Sequence, residues 1–511
     1  MDHGEGVHAA EPGLAGALGQ WLDRQGAWLH GALAGLVLLI CAVGAAVFTI
    51  DPDEAWILLS TYQVFGLPVA GAGAIDLPTL TTGGPHLLVH GLLGLATRAI
   101  IAHRLVSLAC LAALLGLVLA LMRRQMTERR DAWLGMALVL ATPGLLLQGA
   151  LAMAEIMATL LLLATIIYWD GRGRLSLAGT VLAGVLLGLV CATRANALAC
   201  VPVFALFALI DRDNWLEGLV RAAALGFAAV ATHGLCVAGQ AALFPAGNWG
   251  KLYEYLSQST GIGAGKSPWQ MLRHFWLAAD FFPPLLVIAV LAGLLACQAR
   301  GAAGLRLPLL MVTLALAGAA SWVIAAPIPQ VRYAWPFAPL LFVAAGLVLD
   351  RSGLLARPRQ RLVLHLGVIG LVLLQVAASL IALGTGDSLV ATYQANRQAA
   401  VTDRSPDWSA SRDQQALARR VAALPADARL VTRIQPLGLP ITYLSGRRID
   451  DLMPWTPARR PAWLVVTPGD RAVFDPDAAL AQWAARNAVP VFRSGEYALY
   501  QVVGPEPFPP P

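Results

Sequence analysis

Residues 51–68 read DPDEAWILLSTYQVFGLP and set three carboxylates, Asp51, Asp53 and Glu54, directly behind an apolar run from Trp28 to Ile50. A bilayer-crossing helix takes roughly 20 apolar residues, so the acidic group stands at a membrane edge. Trp56 and Tyr62 follow on an amphipathic stretch. A plain helix cap, with Asp53 as N-cap and Glu54 opening the first turn, reads these residues as well as a functional site does.

The rest of the chain is of the same kind. It has 511 residues, 58% hydrophobic and 13% charged, where a soluble domain carries about 25% charged residues. Its mean hydropathy is +0.65. Apolar runs lie near 29–50, 100–122, 132–150, 154–169, 175–193, 196–210, 219–243, 281–297, 307–326, 334–349 and 362–383. They predict a polytopic α-helical membrane protein of about eleven transmembrane helices. The first run is too long for a signal-peptide core and lacks a small-residue cleavage site, so it is read as a retained helix. Two shorter stretches, 55–66 and 85–96, cannot span and are predicted to lie at the interface.

The net charge of +6 follows membrane sidedness and implies no nucleic-acid partner. Arginines gather at 123–130, 172–174, 212–221, 300–306 and 351–361. Positive loops stay in the cytoplasm, which puts residues 1–28 inside. The segments 51–99, 148–153, 244–280 and 327–333 then face outward. So does the tail 384–511. RLVTRI (429–434), AWLVVTP (462–468) and YALYQVV (497–503) read there as strands, with helices at 411–423 and 477–487, which makes a small extracytoplasmic α/β domain ending in the Pro-rich GPEPFPPP. The six cysteines form no CxxC or metal-ligand spacing and read as small apolar core residues.

The ordered motifs resemble the GT-C membrane glycosyltransferases, closest to the protein O-mannosyltransferases and the aminoarabinose transferase of lipid A. An acidic pair follows the first helix, and an interfacial helix opens at Pro85. RLVSLACLAALLGLVLALMRR (104–124), ATPGLLLQGALAMAEIMATLLL (141–162), GLVCATRANALACVP (188–202) and VRYAWPFAPLL (331–341) continue the likeness in the same order. The resemblance implies a GT-C-like transmembrane domain over 29–383 in a bacterial inner membrane. It implies transfer of a sugar from a polyprenyl-phosphate donor to a lipid, glycan or protein acceptor, with inversion. Asp53 matches the general base, and Glu54 would orient it or touch the acceptor. Glu155 matches a second acidic residue, and Arg194, Arg332 and Tyr333 would hold the donor phosphate.

One departure stands out. The aminoarabinose branch has a Lys before the Pro that opens the second interfacial helix, where this chain has Gly84. His86 could replace that contact. His86 and His90, four residues apart on one helix face, could also serve a divalent metal ion, though no third ligand is fixed. Loop 244–280 reads either as a lid, with Lys266 and Trp269 touching substrate, or as a plain connection. Its GAGKS is no Walker A motif, because Thr260 stands where the first Gly belongs. A transporter or flippase of lipid-linked glycans, or a non-catalytic binding subunit, would use the same outward-facing charges.

Overall fold

The computed structural model describes residues 14–69, 83–171, 175–210, 214–243, 283–325, 331–385, 409–433, 435–451, 463–468 and 479–504. Each apolar run is helical over most of its described length. Helix α1 (Leu14–Val47) is followed by two 13-residue helices, α2 (Pro52–Val64) and α3 (Gly84–Ala96). Then come α4 (Ile100–Gln125), α5 (Ala132–Leu140), α6 (Leu145–Ala150), α7 (Ala154–Asp170), α8 (Leu177–Thr193), α9 (Cys200–Ile210) and α10 (Trp215–Leu243). The bundle ends with α11 (Pro284–Ala299), α12 (Arg306–Ala325), α13 (Ala338–Arg351) and α14 (Pro358–Thr385).

Five described helices are long and apolar enough to cross a membrane: Arg24–Val47, Ile100–Gln125, Trp215–Leu243, Ala334–Arg351 and Pro358–Ala377. Shorter apolar helices such as Leu177–Thr193 and Pro284–Ala299 pack among them. Phe227, Leu235, Leu285 and Val363 on the outer helix faces are each about two-thirds exposed or more. Apolar surface on that scale suits lipid, not water, and the chain is a multi-pass membrane protein.

The run 132–150 does not form one helix. It breaks between α5 and α6 at Ala141–Gly144, where Pro143 has no N–H to continue the ladder and Gly144 takes φ +73°. The break turns the chain toward the start of α7 and delivers Ala152 to the acidic corner described below.

Helix α2 starts where its sequence says a helix should. Asp51 is the N-cap, its side chain accepting from the Asp53 N–H at 2.9 Å, and Pro52 takes the first position. Glu54 reaches back to the Asp51 N–H at 3.4 Å, closing a capping box. The cap is therefore Asp51, two residues earlier than the sequence reading placed it, because Pro at the first helical turn needs no donor partner. Helix α3 then lies tight on α2. A Cβ added at Gly91 would fall 2.0 Å from the Phe65 ring, and one at Gly94 2.5 Å from Tyr62. Small residues allow this close approach.

The C-terminal unit holds α15 (Ser409–Ala422), α16 (Gln435–Ser445) and α17 (Ala479–Asn487) around a five-stranded sheet. Its strands are β1 (Leu430–Thr432), β2 (Asp450–Asp451), β3 (Trp463–Val466), β4 (Ala488–Ser494) and β5 (Tyr497–Val502), in the order β2-β1-β3-β5-β4. β1 runs parallel to β2 and β3, and β5 antiparallel to β3 and β4. Leu417, Val421, Ile441, Val465 and Leu499 form the core on one sheet face, and Leu464, Leu480 and Trp483 on the other. Elements β2, β4 and α16 fall where the sequence reading places none.

This unit sits directly on the acidic corner. The side-chain amide of Gln414 in α15 accepts from the Ile50 N–H at 2.9 Å and donates to the Ile50 carbonyl at 3.1 Å. Leu439 of α16 packs with Ile50, Ala55 and Leu59.

Candidate active site

Glu54 is fully buried, and so is the cation beside it. Arg104 opens α4 and donates through Nε to Glu54 Oε1 at 2.9 Å and through Nη2 to Oε2 at 2.7 Å. Its remaining three N–H groups reach the carbonyls of Ala45, Phe48 and Thr49 at 3.0, 3.0 and 2.7 Å. A guanidinium has five N–H donors, and all five are placed. Glu54 accepts in addition from the backbone of Ala152 at 2.7 Å and of Asp51 at 3.4 Å. Each carboxylate oxygen thus takes two donors, and no lone pair is left for a substrate. Expected to orient Asp53 or touch an acceptor, Glu54 has the geometry of a structural post that ties α1, α2, α4 and the α6–α7 corner together.

Asp51 is likewise occupied, as the cap of α2. Of the three carboxylates, Asp53 alone sits on the first turn with its side chain half-buried and outside the capping box.

The Ala152–Glu54 bond brings the first turns of α2 and α7 together. Glu155 stands on that first turn of α7, buried, and pairs with Arg194, the residue that ends α8. The two expected site residues therefore meet each other. Glu155 Oε2 has no hydrogen-bond partner among the described residues. A third segment joins them, the 3-10 turn Val331–Phe337. Thr159, one turn after Glu155, donates to the Pro336 carbonyl at 3.0 Å, and the Trp335 indole donates to the Pro143 carbonyl at 2.6 Å. That turn carries the backbone of Arg332 and Tyr333, whose side chains lie outside the described residues, as do Lys266, Trp269 and loop 244–280.

His86 is buried next to Arg194 and the Ala152 backbone. Gly84 stands at φ +51°, and a Cβ there would meet the Ala192 Cβ at 2.7 Å. Neither the backbone nor the space admits a Lys at this position, so the missing lysine is a property of the corner's packing. His86 and His90 face each other with ring centroids 4.2 Å apart. Among the described residues no group of three His, Cys, Asp or Glu side chains is arranged to hold a metal ion. His90 instead bonds His103 of α4, Nδ1 to Nδ1 at 2.9 Å, and His103 Nε2 bonds the Tyr62 hydroxyl at 2.7 Å.

Tyr62 also lines a cavity of about 350 Å³ beneath the C-terminal unit, with Leu59, Val69, Arg98, Thr442 and Tyr443. Arg98 lies over the Tyr62 ring, 5.4 Å from its centroid. Sequence reading missed Arg104, His103, Tyr62 and Gln414 as parts of this corner. Arg104 had a usable signal, since an ionisable residue at the start of an apolar span asks for a partner.

No protein-family model and no curated protein matches the chain. Solved structures do. The crystal structure of ArnT from Cupriavidus metallidurans bound to undecaprenyl phosphate matches at TM-score 0.60 and 16% identity, over 94% of this chain and 100% of that one. The apo form of the same ArnT matches at TM-score 0.50 and 16% identity, over 94% and 99%. An oligosaccharyltransferase from Archaeoglobus fulgidus, solved with zinc and sulfate, matches at TM-score 0.45 and 14% identity over 91% and 73%, too low to carry an argument. The likeness to ArnT, at 16% identity, shows a shared fold, and GT-C is the fold that the chain's motifs resemble.

Proposed function

We propose that the chain is a glycosyltransferase of the inner membrane, moving a sugar from a polyprenyl-phosphate donor to an acceptor on the outer face. The acceptor is a lipid, a glycan or a protein. The observation that carries this reading is the sorting of the three carboxylates. Asp51 caps α2 and Glu54 is saturated by Arg104, Ala152 and Asp51. Asp53, half-buried on the first turn of α2 and outside the capping box, is the one of the three that we assign as the base. The fold shared with an ArnT bound to undecaprenyl phosphate supports the donor class.

In this reading the acceptor oxygen attacks the anomeric carbon and its proton passes to Asp53. The bond from that carbon to the phosphate oxygen breaks, and the lipid phosphate leaves from the opposite face, with inversion. Arg194 and Arg332 supply fixed cations where the negative charge gathers. Glu155 holds Arg194 in place and keeps one oxygen for the substrate. Glu54 positions the turn that bears Asp53. The ion pairs sit at helix ends, on the first turns of α2 and α7 and at the close of α8, as a surface reaction requires. A flippase needs polar groups along the helix middles.

Asp53→Asn tests the reading. Loss of a positioned base costs about 10²–10⁴ in rate, so transfer from a radiolabelled lipid-linked sugar should fall by that factor while thermal stability stays unchanged. A wild-type rate in this variant refutes the base. Failure of purified wild-type protein to bind undecaprenyl phosphate refutes the donor class.

A further inference from the structure

The hydrogen-bonded chain that begins beneath the C-terminal unit has one end at a backbone carbonyl, and that end decides the direction of every link. The Tyr443 hydroxyl donates to the Arg98 carbonyl at 2.5 Å, since a carbonyl only accepts. Burial raises the Tyr443 phenol above its ordinary range, so it remains a donor. Tyr443 oxygen can then only accept from the Tyr62 hydroxyl, 3.3 Å away. Tyr62 oxygen must accept from His103 Nε2–H at 2.7 Å. A neutral imidazole carries one N–H, so His103 Nδ1 is bare and accepts from His90 Nδ1–H at 2.9 Å. For neutral rings with all four contacts made, this arrangement of protons satisfies the chain. Its last member, His90 Nε2, is left as a lone pair, buried and without a hydrogen-bond partner among the described residues.

His86 stands opposite. It is 1% exposed, its ring centroid lies 4.2 Å from that of His90, and it neighbours the Ala152 backbone with neither ring nitrogen in a hydrogen bond of ordinary geometry among the described residues. As a neutral ring it presents one N–H. Two buried polar groups of this kind cost free energy until something satisfies them. The two rings are in contact and together offer one donor and one acceptor side by side. A hydroxyl group both accepts and donates, and it fits this pair. A phosphate dianion only accepts, and the His90 lone pair repels it.

We propose that His86 and His90 form a binding site for a hydroxyl group of a carbohydrate substrate, with the tautomer of His90 fixed by the chain His103–Tyr62–Tyr443. The pair borders Arg194 through His86, so the hydroxyl binds beside the proposed phosphate clamp and not in it. This deepens the glycosyltransferase reading and moves His86 from phosphate to sugar.

The test uses full-length protein in nanodiscs, labelled with ¹⁵N at the imidazoles, with resonances assigned through His86→Gln and His90→Gln. Expected is a non-protonated Nε2 on His90, and a redistribution of both the His103 and His90 tautomers in Tyr62→Phe, whose ring packing is kept. A protonated Nε2 on His90 in the wild type, or tautomers unmoved in Tyr62→Phe, overturns the proposal. A panel of decyl glycosides and decyl phosphate is then titrated. At least one glycoside should shift His86 and His90, and decyl phosphate should leave them unmoved. A response to decyl phosphate alone, or to no glycoside, also overturns it. None of these readouts needs turnover. A bare, glycoside-responsive His90 in a protein that transfers no sugar sinks the enzyme reading alone, and active protein with a protonated His90 Nε2 sinks this inference alone.

Discussion

Two buried Arg–carboxylate pairs stand within one corner of this protein, and they are built differently. In Glu54–Arg104 every donor of the guanidinium and every lone pair of the carboxylate is used. In Glu155–Arg194 one carboxylate oxygen has no hydrogen-bond partner among the described residues. Burial and charge alone do not separate them, as both carboxylates are 1% exposed or less. Saturation does. A filled pair holds the backbone, and a pair with an open oxygen still has chemistry to offer.

The sharpest way to break this contrast is to cut both pairs and compare stability with function. Arg104→Gln strands Glu54 as a buried unpaired charge, which costs about 3–5 kcal/mol. The variant should lose most of its folded, monodisperse fraction on size exclusion. Survival with a wild-type melting temperature would remove the structural assignment. Glu155→Gln gives up one charged hydrogen bond and should cost about 1.5–3 kcal/mol, less than Arg104→Gln in the same melt. It should also bind undecaprenyl phosphate more tightly, because the carboxylate no longer competes for Arg194. Each ~1.4 kcal/mol of repulsion removed is tenfold in Kd. Weaker lipid binding would show that Glu155 does not neighbour the phosphate.

Two smaller effects sharpen the structural side. Gln414→Leu removes both amide bonds to Ile50 and should cost about 1–3 kcal/mol at 0.5–1.5 each. Hydrogen exchange at residues 50–54 should speed up while the helix centres stay protected. Asp51→Ala takes away the cap of α2, worth about 0.5–2 kcal/mol, and should lower the melting temperature slightly. A loss of transfer as large as that of Asp53→Asn would mean that Asp51, too, acts in the reaction.

The helical plan was legible because apolar runs long enough to span a bilayer have few other uses. Pro143 marked the break between α5 and α6, but the run around it is apolar enough to read as continuous. Helix α16 was hidden by Pro436 and Pro440, which make QPLGLP look like a loop, although that helix seats the C-terminal unit on α2. At the site, DPDE announced itself, yet its three carboxylates could not be sorted. That sorting depends on Arg104, 50 residues away, and Ala152, 98 residues away. The hydroxyl-binding pair draws on residues 62, 86, 90, 103 and 443, and no local pattern connects such positions. Only Gly84 spoke in both registers. Its departure from the lysine of the resembling proteins was visible in the sequence, and the Ala192 contact supplies the cause.

The Arg104 cradle also has an order in time. Its acceptors, Ala45, Phe48, Thr49 and Glu54, all precede it in the chain. During synthesis from the N-terminus the arginine arrives to find its partners already made, and the translocation machinery never has to shelter a lone cation in lipid for a later segment to rescue. Glu155 likewise waits for its arginine, since the ribosome makes Arg194 39 residues after it. The first pair can close as the membrane domain is being inserted, and the second only once α8 has been added. The corner is thus assembled before the site that it supports.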